Sequence, residues 1–416
     1  MDPNANPFNP GAGTPPPELV GREAVLALAD TILERIKRAR AERSLLLVGL
    51  RGVGKTVLLR EIRRRALEKS YAVEMIEAQE EQTITQLLVP ALRRLLLDLN
   101  AAHKAVNAVR RGLRVLRSFL GTIKVKSGDV ELTLGVDPQE GRADSGDLES
   151  DLKDLLIAVG EAAQAAEQPI AILIDELQYL PKDDLAALIR ALHAVAQEGL
   201  PLVMFGAGLP QLYSQVGEAK SYAERLFRFS EIDRLSHIES DEVVRGPVQR
   251  EGTRVSKEAL EEIYQQTKGY PYFLQEWGYR AWNLAPKDGI DLEVAKEATR
   301  LALKELDHQF FRVRFDRVTP TEREYLRALA QFGEGVHRSA EVADLVGKST
   351  NQLGPIRDSL IRKGMIYSPA HGDIAFTVPL FEQFMTRTMP VSTKSKPTGG
   401  GNFGKATPGK SRRRRR

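Results

Sequence analysis

The stretch Gly49-Leu50-Arg51-Gly52-Val53-Gly54-Lys55-Thr56 decides the fold, because it fits the phosphate-loop pattern Gly-x-x-x-x-Gly-Lys-Ser/Thr. An apolar run, Ser44 to Val48, leads into it, and a helical pattern from about Thr56 to Glu68 follows. The glycines let backbone N–H groups wrap around phosphates, and the start of the helix offers a partial positive charge to the same anion. The alternative is a glycine turn that contains Gly-Lys-Thr by chance. The flanking strand and helix favour a phosphate-binding loop with Gly49, Gly52, Val53, Gly54, Lys55 and Thr56 as its binding residues.

An acidic motif further along the chain supplies the other half of such a site. The apolar run Ile170 to Ile174 ends in Asp175 and Glu176. In this order we expect Lys55 to reach the β- and γ-phosphates, Thr56 and Asp175 to hold Mg²⁺, and Glu176 to polarise the attacking water. Taken alone, the run is also typical of an ordinary strand that leaves the core. Its pairing with the phosphate loop predicts ATP and Mg²⁺ as cofactors.

Strand and helix patterns alternate around these motifs. A second strand, Tyr71 to Ala78, follows the phosphate-loop helix, and another is predicted at Leu202 to Gly206. Strands that alternate with helices predict an α/β fold, the parallel sheet of a P-loop NTPase with crossover helices. A helical stretch and an alternating pattern between Ile123 and Val136, which predicts a β-hairpin, interrupt this order. They indicate an insertion over about residues 82–146.

The strand signal disappears after residue 235, and helices dominate to about residue 315. Thr319 then has the pattern of a helix N-cap, with Pro320 at the first helical position and Glu322 closing a capping box. Three predicted helices and a β-hairpin within about 65 residues are typical of a winged helix–turn–helix. The expected organisation is a disordered lead (1–17), an α/β nucleotide-binding domain (18–235), a helical lid subdomain (236–315), a C-terminal winged helix–turn–helix (316–390) and a disordered basic tail (391–416).

The helix from Ser349 to Lys363 would be the recognition helix of that winged helix. Its candidate contacts are Lys348, Asn351, Gln352, Arg357, Arg362 and Lys363. These residue types suit contacts with phosphates and base edges of duplex DNA. Winged helices also bind proteins, and Glu341, Asp344 and Asp358 lie nearby. A DNA partner and a protein partner therefore both stay open.

Positive charge is concentrated in two places. The whole chain has a formal net charge of +4, but nine Lys/Arg and no carboxylate lie between Val391 and Arg416, so the remainder is net negative. Seven Lys/Arg and no carboxylate lie between Asn100 and Gly128, where Arg110, Arg114 and Arg117 share a helix face. This face and the tail are candidates for phosphate contacts. The alternative is a solvated helix face and a solubilising tail.

Composition excludes several other classes of site. The chain has no Cys and six scattered His, so disulfides, thiolate metal sites and thiol nucleophiles are excluded and a zinc site is disfavoured. Its apolar stretches are much shorter than the roughly 20 residues of a membrane span. The first residues lack the basic start and apolar core of a secretory signal. A cytoplasmic protein without a membrane partner is expected.

With both motifs in place, the chain resembles the AAA+ ATPases, and within them the branch of origin-recognition-initiator-like and STAND-like ATPases that includes archaeal-type ATPases. Val20-Gly21-Arg22-Glu23 resembles the motif that lines the adenine pocket in this branch, about 28 residues before the phosphate loop. The turn from Gly269 to Leu274 resembles the lid turn Gly-x-Pro-x-x-Leu. The resemblance covers Val20 to Pro390, and it implies that Val20, Gly21, Arg22 and Pro271 contact the nucleotide.

Two departures from the family pattern concern hydrolysis. The end of the predicted fourth strand, Phe205-Gly206-Ala207-Gly208, lacks the polar sensor that many AAA+ proteins have there. The lid turn lacks the arginine that origin-type proteins often place on it. The resemblance implies an ATP hydrolase, and the absence of these two groups implies that its hydrolysis is slow. It also implies an arginine finger near Arg225 and Arg228, of which Arg225 is favoured, and a surface or core-edge salt bridge is the alternative role.

These observations support two hypotheses. In the first, the chain is an ATP-controlled conformational switch that engages duplex DNA through its winged helix and basic segments. In the second, it is a STAND-like signalling or assembly regulator whose winged helix binds a protein partner. Self-assembly through Arg225 is compatible with both. A weaker third idea is an ATPase of a mobile element or a defence system.

Overall fold

The structure, a computed structural model, describes residues 1–11, 13–101, 105–122, 136–220 and 225–390. Residues 123–135 of the predicted β-hairpin and the basic tail from Val391 lie outside the described residues.

Among the described residues, five parallel strands form the central sheet, in the order β2-β3-β4-β1-β5. The strands are β1 Ser44–Val48, β2 Ala72–Glu77, β3 Ile170–Asp175, β4 Leu202–Gly208 and β5 Phe227–Glu231. The three middle strands are buried along their whole length, because helices cover both faces of the sheet. This is why their sequences are continuous apolar runs. The predicted P-loop parallel sheet is confirmed.

In the part of the chain that the structure describes, seven helices accompany the sheet: α1 Glu23–Lys37, α2 Lys55–Glu68, α3 Ile84–Ala101, α4 Val106–Thr122, α5 Leu148–Ala165, α6 Lys182–Gln197 and α7 Leu212–Ala219. The side chains of β1 alternate between two hydrophobic clusters. Leu45 and Leu47 pack with α1 and α2 on one face, whereas Leu46 and Val48 pack with α3 to α6 on the other. Helices α3 and α4 therefore extend the layer on the second face of the sheet.

A helical segment (residues 237–316) follows the last strand. It contains α8 His237–Arg250, α9 Lys257–Thr267, α10 Pro271–Leu284, α11 Leu292–Glu305, a π-helical stretch Leu306–Phe311 and α12 Arg312–Asp316. Trp277 is fully buried at its centre, and its indole Nε1 donates a hydrogen bond to Thr299 Oγ1 at 2.9 Å. The large aromatic side chain thus packs in the core with its polar atom satisfied.

The C-terminal segment (residues 317–390) combines four helices with a small antiparallel sheet, in the order β6-β8-β7. Its elements are α13 Pro320–Leu329, β6 His337–Arg338, α14 Ser339–Val346, α15 Thr350–Arg362, β7 Ile366–Tyr367, β8 Asp373–Phe376 and α16 Phe381–Thr388. The capping box of Thr319 and Glu322 is present. Strand β6 has only two residues, too few to show an alternating pattern in the sequence. The winged helix itself stays a prediction.

The C-terminal segment packs on the helical segment through aromatic rings. Phe311 lies 5.8 Å from Phe381 and 5.3 Å from Phe384, measured between ring centroids. Arg387 and Asp307 form an ion pair at 2.6 Å beside them. The π-helical stretch of the helical segment and α16 thus belong to one hydrophobic cluster.

The N-terminal strap (residues 1–11 and 13–18) includes most of the predicted disordered lead (1–17), and its residues 2–9 lie along α10. Phe8 is buried against Gly278, where a Cβ atom would come within 2.6 Å of the ring. The Asn6 side chain donates to Tyr279 O at 3.0 Å, and the indole of Trp282 donates to Asp2 O at 2.8 Å. The segment cannot bury enough apolar surface by itself, but one phenylalanine and a few amide hydrogen bonds attach it to a preformed helix.

Glu322 is the most heavily bonded carboxylate of the C-terminal segment. It is 4% exposed and accepts hydrogen bonds from Thr319 N at 2.6 Å, Ser359 Oγ at 2.7 Å and Lys363 Nζ at 2.7 Å. Burial by itself raises the pKa of this carboxyl, but the hydrogen bonds from Lys363, Ser359 and Thr319 outweigh it and lower the pKa to about 2. Glu322 therefore joins α13 to α15 as a carboxylate.

We expect Glu322→Gln to cost about 3 kcal/mol at neutral pH, because Lys363 loses its buried partner. The native pKa lies below the ordinary value, so this stabilisation is present above pH 4.5 and is lost as the pH falls towards 2. Hydrogen exchange of the α13 and α15 amides should therefore be faster in the variant at pH 7 than in the parent, with a smaller difference at pH 3. The exposed Glu324→Gln on the same helix is the control. If the exchange rates of variant and parent differ equally at pH 7 and pH 3, the negative charge of Glu322 does not stabilise this contact.

Candidate functional site

The phosphate loop connects the end of β1 to the start of α2. Gly52 and Gly54 adopt positive φ angles of 82° and 95°, which favour glycine. Gly49 has a different requirement, because a Cβ atom there would lie 2.0 Å from the carbonyl oxygen of Ile232. The loop therefore turns tightly out of the sheet and into the amino end of α2, the geometry that presents backbone N–H groups to an anion.

Lys55 lies at the first position of α2 and is only 7% exposed. Its Nζ donates to Gly49 O at 2.9 Å and to Leu50 O at 2.8 Å. Burial lowers the pKa of Lys55 to about 8, against the opposing effect of the nearby Glu176 and Asp175 carboxylates. The ammonium group thus stays charged at neutral pH and lies inside the curve of the loop.

Thr56 and Asp175 meet at the carboxyl edge of the sheet, although 119 positions separate them. The Thr56 hydroxyl donates to Asp175 Oδ2 at 2.6 Å, and Asp175 is 4% exposed at the end of β3. Burial raises the pKa of Asp175, whereas the Thr56 hydrogen bond acts in the opposite direction. The hydroxyl oxygen of Thr56 and a carboxylate oxygen of Asp175 thus lie side by side as two possible metal ligands. This pair suits Mg²⁺, which prefers oxygen ligands and keeps several waters.

Glu176 follows directly, with a left-handed backbone at φ 53°. This conformation is rare for a residue with a side chain and costs on the order of 1 kcal/mol. Its Oε1 lies 3.6 Å from Arg51 Nη1, and its Oε2 accepts a hydrogen bond from the Gln178 side chain. The strained backbone turns the carboxylate towards the phosphate loop, where Arg51 and Gln178 hold it.

Gln178 reaches the end of β4, where the sequence lacks a polar sensor. It is 5% exposed, and its Oε1 accepts a hydrogen bond from Leu209 N at 3.0 Å. A Cβ atom at Gly206 would lie 2.3 Å from Leu177 Cδ1, so this part of β4 packs closely on the turn after Glu176. Gln178 thus supplies the polar group between β4 and Glu176.

Arg22 connects the segment before α1 to the phosphate loop. Its Nη2 donates to Val53 O at 3.2 Å and to Asp233 O at 2.6 Å. Burial lowers the pKa of Arg22, and the Glu239 carboxylate is the main opposing influence. Gly21 has φ 70° beside it, and a Cβ there would come 2.3 Å from Glu239 Oε1.

Both later segments of the chain contact the phosphate loop through the backbone. Tyr272 N, at the amino end of α10, donates to Gly52 O at 3.2 Å. Arg51 N donates to Thr377 O at 3.1 Å, immediately after β8. The Arg51 side chain donates to the Tyr179 hydroxyl at 2.7 Å and packs against Gly364. The loop is therefore enclosed by the helical segment on one side and the C-terminal segment on another.

A cavity of about 250 Å³ opens beside the phosphate loop. The predicted residues that line it are Val20, Arg22, Gly52, Val53, Gly54, Lys55, Thr56, Glu176 and Pro271. Gly21, Gly49 and Asp175 are not among the lining residues. Residues of the N-terminal strap, among them Gly11 and Gly13, also line the cavity. Arg60 Nη1 donates to Gly13 O at 2.6 Å and thereby ties the strap to α2.

Arg225 lies away from the cavity beside the phosphate loop. It is exposed and lies just before Phe227, the first residue of the edge strand β5. The phosphate loop follows the opposite end of the parallel strand β1, so about 15 Å of strand separate the two. Within one chain Arg225 therefore has no access to the nucleotide. Arg228 pairs instead with Glu42 at 3.1 Å.

The sequence did not reveal several lining or supporting residues: Phe8, Arg51, Gln178, Tyr272 and Arg314. Arg51 lies inside the phosphate-loop motif at a position where any residue fits, so the pattern gave no signal for it. Gln178 lies two residues after Glu176, and that spacing was its one available signal. Tyr272 lies in the predicted lid turn, and its position directly after Pro271 was its one available signal. Phe8 and Arg314 come from segments that only the tertiary structure brings to the loop.

Loss of the strap's anchor should speed nucleotide release. We expect Phe8→Ala to raise the dissociation rate of a bound nucleotide about tenfold, a change of about 1.4 kcal/mol. The reason is that residues of the strap line the cavity, and this buried ring helps to hold the strap on α10. Stopped-flow chase of a fluorescent nucleotide measures the rate. The exposed Asn4→Ala on the same strap should leave it unchanged, and an unchanged rate in Phe8→Ala would show that the strap does not limit release.

The comparisons with known proteins agree with this geometry. Residues 18–205 match the AAA ATPase domain family. Residues 308–385 match a family described as a domain of unknown function (DUF8462). No curated protein matches the chain significantly. Within the described residues, no helix is long and apolar enough to cross a membrane.

Two solved structures resemble the whole fold. A Walker-type ATPase of Pyrococcus abyssi has 17% identity and a TM-score of 0.51, with 88% of this chain and 96% of that chain covered. The Orc2 protein of Aeropyrum pernix, in its ADP form, has 14% identity and a TM-score of 0.51, with 92% and 98% covered. At this identity the likeness concerns the fold. Together with the matched domain and the assembled loop, it shows that the chain contains an AAA ATPase domain and has the fold of a P-loop ATPase.

Proposed function

We propose that the chain is a Mg²⁺-dependent ATPase in which the nucleotide at the phosphate loop controls how the C-terminal segment is docked, and with it the binding of duplex DNA. The observation that carries the proposal is the hydrogen bond from Arg51 N to Thr377 O. The loop that receives the phosphates is the same loop that holds the C-terminal segment. A change of bound nucleotide thus has a direct route to that segment.

In this proposal Lys55 and the backbone N–H groups of the loop bind the β- and γ-phosphates. Thr56 and Asp175 hold Mg²⁺, which when bound would neutralise charge on the phosphate oxygens. Glu176 orients and polarises the attacking water, whose proton it accepts. Val20, Gly21, Arg22 and Pro271 form the base side of the pocket.

We expect hydrolysis to be slow. The Glu176 carboxylate is paired with Arg51 and bonded by Gln178, so it is held by protein groups that compete with a water. The end of β4 offers a side-chain amide from Gln178 and no polar side chain of its own. Slow hydrolysis suits a switch, because each nucleotide state persists long enough to change a partner's binding.

Arg225 would act on a neighbouring subunit if the protein assembles. It is exposed and forms no ion pair among the residues that the structure describes, so its guanidinium is available to a second copy. A guanidinium supplied from a neighbouring subunit stabilises charge in phosphoryl transfer. Self-assembly, a cytoplasmic location and the division at residues 235, 315 and 390 stay predictions.

The surface suited to DNA differs from the one predicted for the recognition helix. Lys363 is bonded to Glu322, and Gln352 accepts from Ser349 N at 2.9 Å, so both serve the C-terminal segment itself. Lys348, Asn351 and Arg362 remain exposed. On α4 the exposed side chains Arg110, Arg114 and Arg117 form one stripe, whereas Arg111 pairs with Glu161 at 2.6 Å. We propose that this stripe contacts the DNA backbone.

Gel retardation of a duplex by the full chain, with ATP in the Glu176→Gln background and with ADP, tests the DNA proposal. We expect a shift that weakens as salt rises, and a smaller salt dependence after combined Arg110→Ala, Arg114→Ala and Arg117→Ala. Arg64→Ala, whose guanidinium pairs with Glu61 on α2, is the matched control. No retardation at low salt with either nucleotide would reject DNA binding.

A protein partner is the second candidate. The observation that favours it is the internal use of Lys363 and Gln352, which leaves α15 with fewer groups for bases. Val336 and Leu345 are about half exposed on the same segment, and apolar side chains of this kind suit a protein surface. Affinity capture with the Glu176→Gln protein in ATP and in ADP distinguishes the two. A partner retained in one nucleotide state, without DNA retardation, would favour this regulator.

A further inference from the structure

Arg314 is a cation of the nucleotide cavity that comes from far along the chain. It lies on α12, directly after the π-helical stretch Leu306–Phe311, and it lines the same cavity as Lys55 and Glu176. Stretches of π-helix are rare in proteins, and those that occur frequently lie at functional sites. The segment that leads into α13 therefore places a guanidinium beside the phosphate loop.

The guanidinium of Arg314 has few partners among the residues that the structure describes. Among the described residues no carboxylate forms an ion pair with it, whereas its neighbour Arg312 hydrogen-bonds Asp316 at 3.1 Å. Its Nη1 donates to Phe310 O at 2.7 Å, and its Cζ lies 4.0 Å from the centre of the Phe310 ring. A guanidinium has five N–H donors, so most of them are left for a ligand.

The cavity is rich in positive charge at this point. Burial lowers the pKa of Arg314 to about 10, and the positive charge of Arg51 is the next cause. The group stays charged at neutral pH, next to a second arginine of the same cavity. Two partly buried guanidinium groups near Lys55 repel one another, and an anion between them would relieve this repulsion.

The lid turn, Gly269-Tyr270-Pro271, carries no arginine, and the aromatic ring of Tyr272 occupies the next position. That ring stacks on Phe310 with 5.0 Å between centroids. Phe310 in turn supports Arg314. The helical segment thus contributes a guanidinium to the cavity from its last turn rather than from its lid turn.

We propose that Arg314 binds the terminal phosphate of ATP, so that the site distinguishes ATP from ADP and passes that distinction to the C-terminal segment. The inference rests on the proposed binding of ATP at the phosphate loop. The terminal phosphate is absent from ADP, and a planar guanidinium suits phosphate oxygens. Since α12 leads directly into α13, a shift of Arg314 when it binds the phosphate also shifts the start of the C-terminal segment.

Equilibrium titration of fluorescent ATP and ADP analogues with Mg²⁺ tests the assignment, in the full chain with Glu176→Gln to prevent turnover. We expect Arg314→Ala to weaken ATP binding 10- to 30-fold and ADP binding less than threefold. Arg314→Lys keeps the positive charge but lacks the planar guanidinium with its paired N–H donors. We expect this variant to lose an intermediate amount of ATP affinity and no ADP affinity. Arg312→Ala, an exposed arginine of the same helix, should change neither affinity.

Each outcome separates this assignment from the proposed function. If the parent binds ATP but Arg314→Ala and Arg314→Lys bind it equally well, the assignment is wrong and the ATP site stands. Equal losses for ATP and ADP indicate a structural role for Arg314 and also overturn the assignment. If the parent binds neither nucleotide, the proposed function itself fails. Thermal unfolding without nucleotide checks that each variant is folded.

Discussion

Lys55→Ala is expected to weaken ATP binding on the order of 1000-fold. The Lys55 ammonium is the charged group inside the curve of the phosphate loop, and it bonds the carbonyl oxygens of Gly49 and Leu50. Two charge-assisted hydrogen bonds to phosphate oxygens are together worth about 4 kcal/mol, and every 1.4 kcal/mol is a factor of ten. The truncation also removes the contacts that tie the two ends of the loop together.

Isothermal titration with ATP and Mg²⁺ measures this loss. Lys69→Ala is the matched control, because Lys69 follows the end of the same helix and pairs with Glu34 at 2.8 Å on the surface. Its ATP affinity should equal that of the parent. Retention of parental affinity in a folded Lys55→Ala protein would mean that the nucleotide binds elsewhere.

Glu176→Gln should have the largest effect on turnover, a decrease of 100- to 1000-fold, with ATP affinity within about threefold of the parent. The change keeps the shape of the side chain but removes the carboxylate that accepts a proton from the attacking water, a contribution of typically 10² to 10⁴. The strained backbone at φ 53° holds this residue against the loop, so a neighbouring carboxylate cannot replace it.

Phosphate release under single-turnover conditions is the appropriate measurement, because it separates chemistry from product release. Glu198→Gln is the control, since Glu198 is exposed at the end of α6, before the amino end of β4. Parental rates in Glu176→Gln would exclude Glu176 as the residue that activates water. A loss of ATP affinity equal to the loss of rate would point to a binding role instead.

The parts of the site that the sequence predicts are those with local signals. The phosphate loop is one contiguous stretch, and it is recognised from the spacing of its glycines, lysine and threonine. Asp175 and Glu176 end a run of apolar residues, and that run is continuous because β3 is buried on both faces. Both motifs could therefore be read without knowledge of the tertiary structure.

The remaining residues depend on contacts across the chain. Phe8 packs on α10 where Gly278, some 270 positions away, leaves room for its ring. Arg314 faces the cavity because the π-helical stretch and the Phe311 cluster orient α12. The bond from Arg51 N to Thr377 O involves backbone atoms, which have no signature in the sequence. Strand β6 is visible only through its pairing with β8.

The central claim is that the nucleotide at the phosphate loop controls the docking of the C-terminal segment. The chain has no Cys, so spin labels at Arg63→Cys on α2 and Lys348→Cys, both exposed, are the only thiol labels. Pulsed dipolar spectroscopy then gives the distance between them. We predict one distribution with ADP and a shifted one with ATP in the Glu176→Gln background, and no shift when Lys55→Ala is added. The same distribution with ATP, with ADP and without nucleotide, in a protein shown to bind both, would contradict the account.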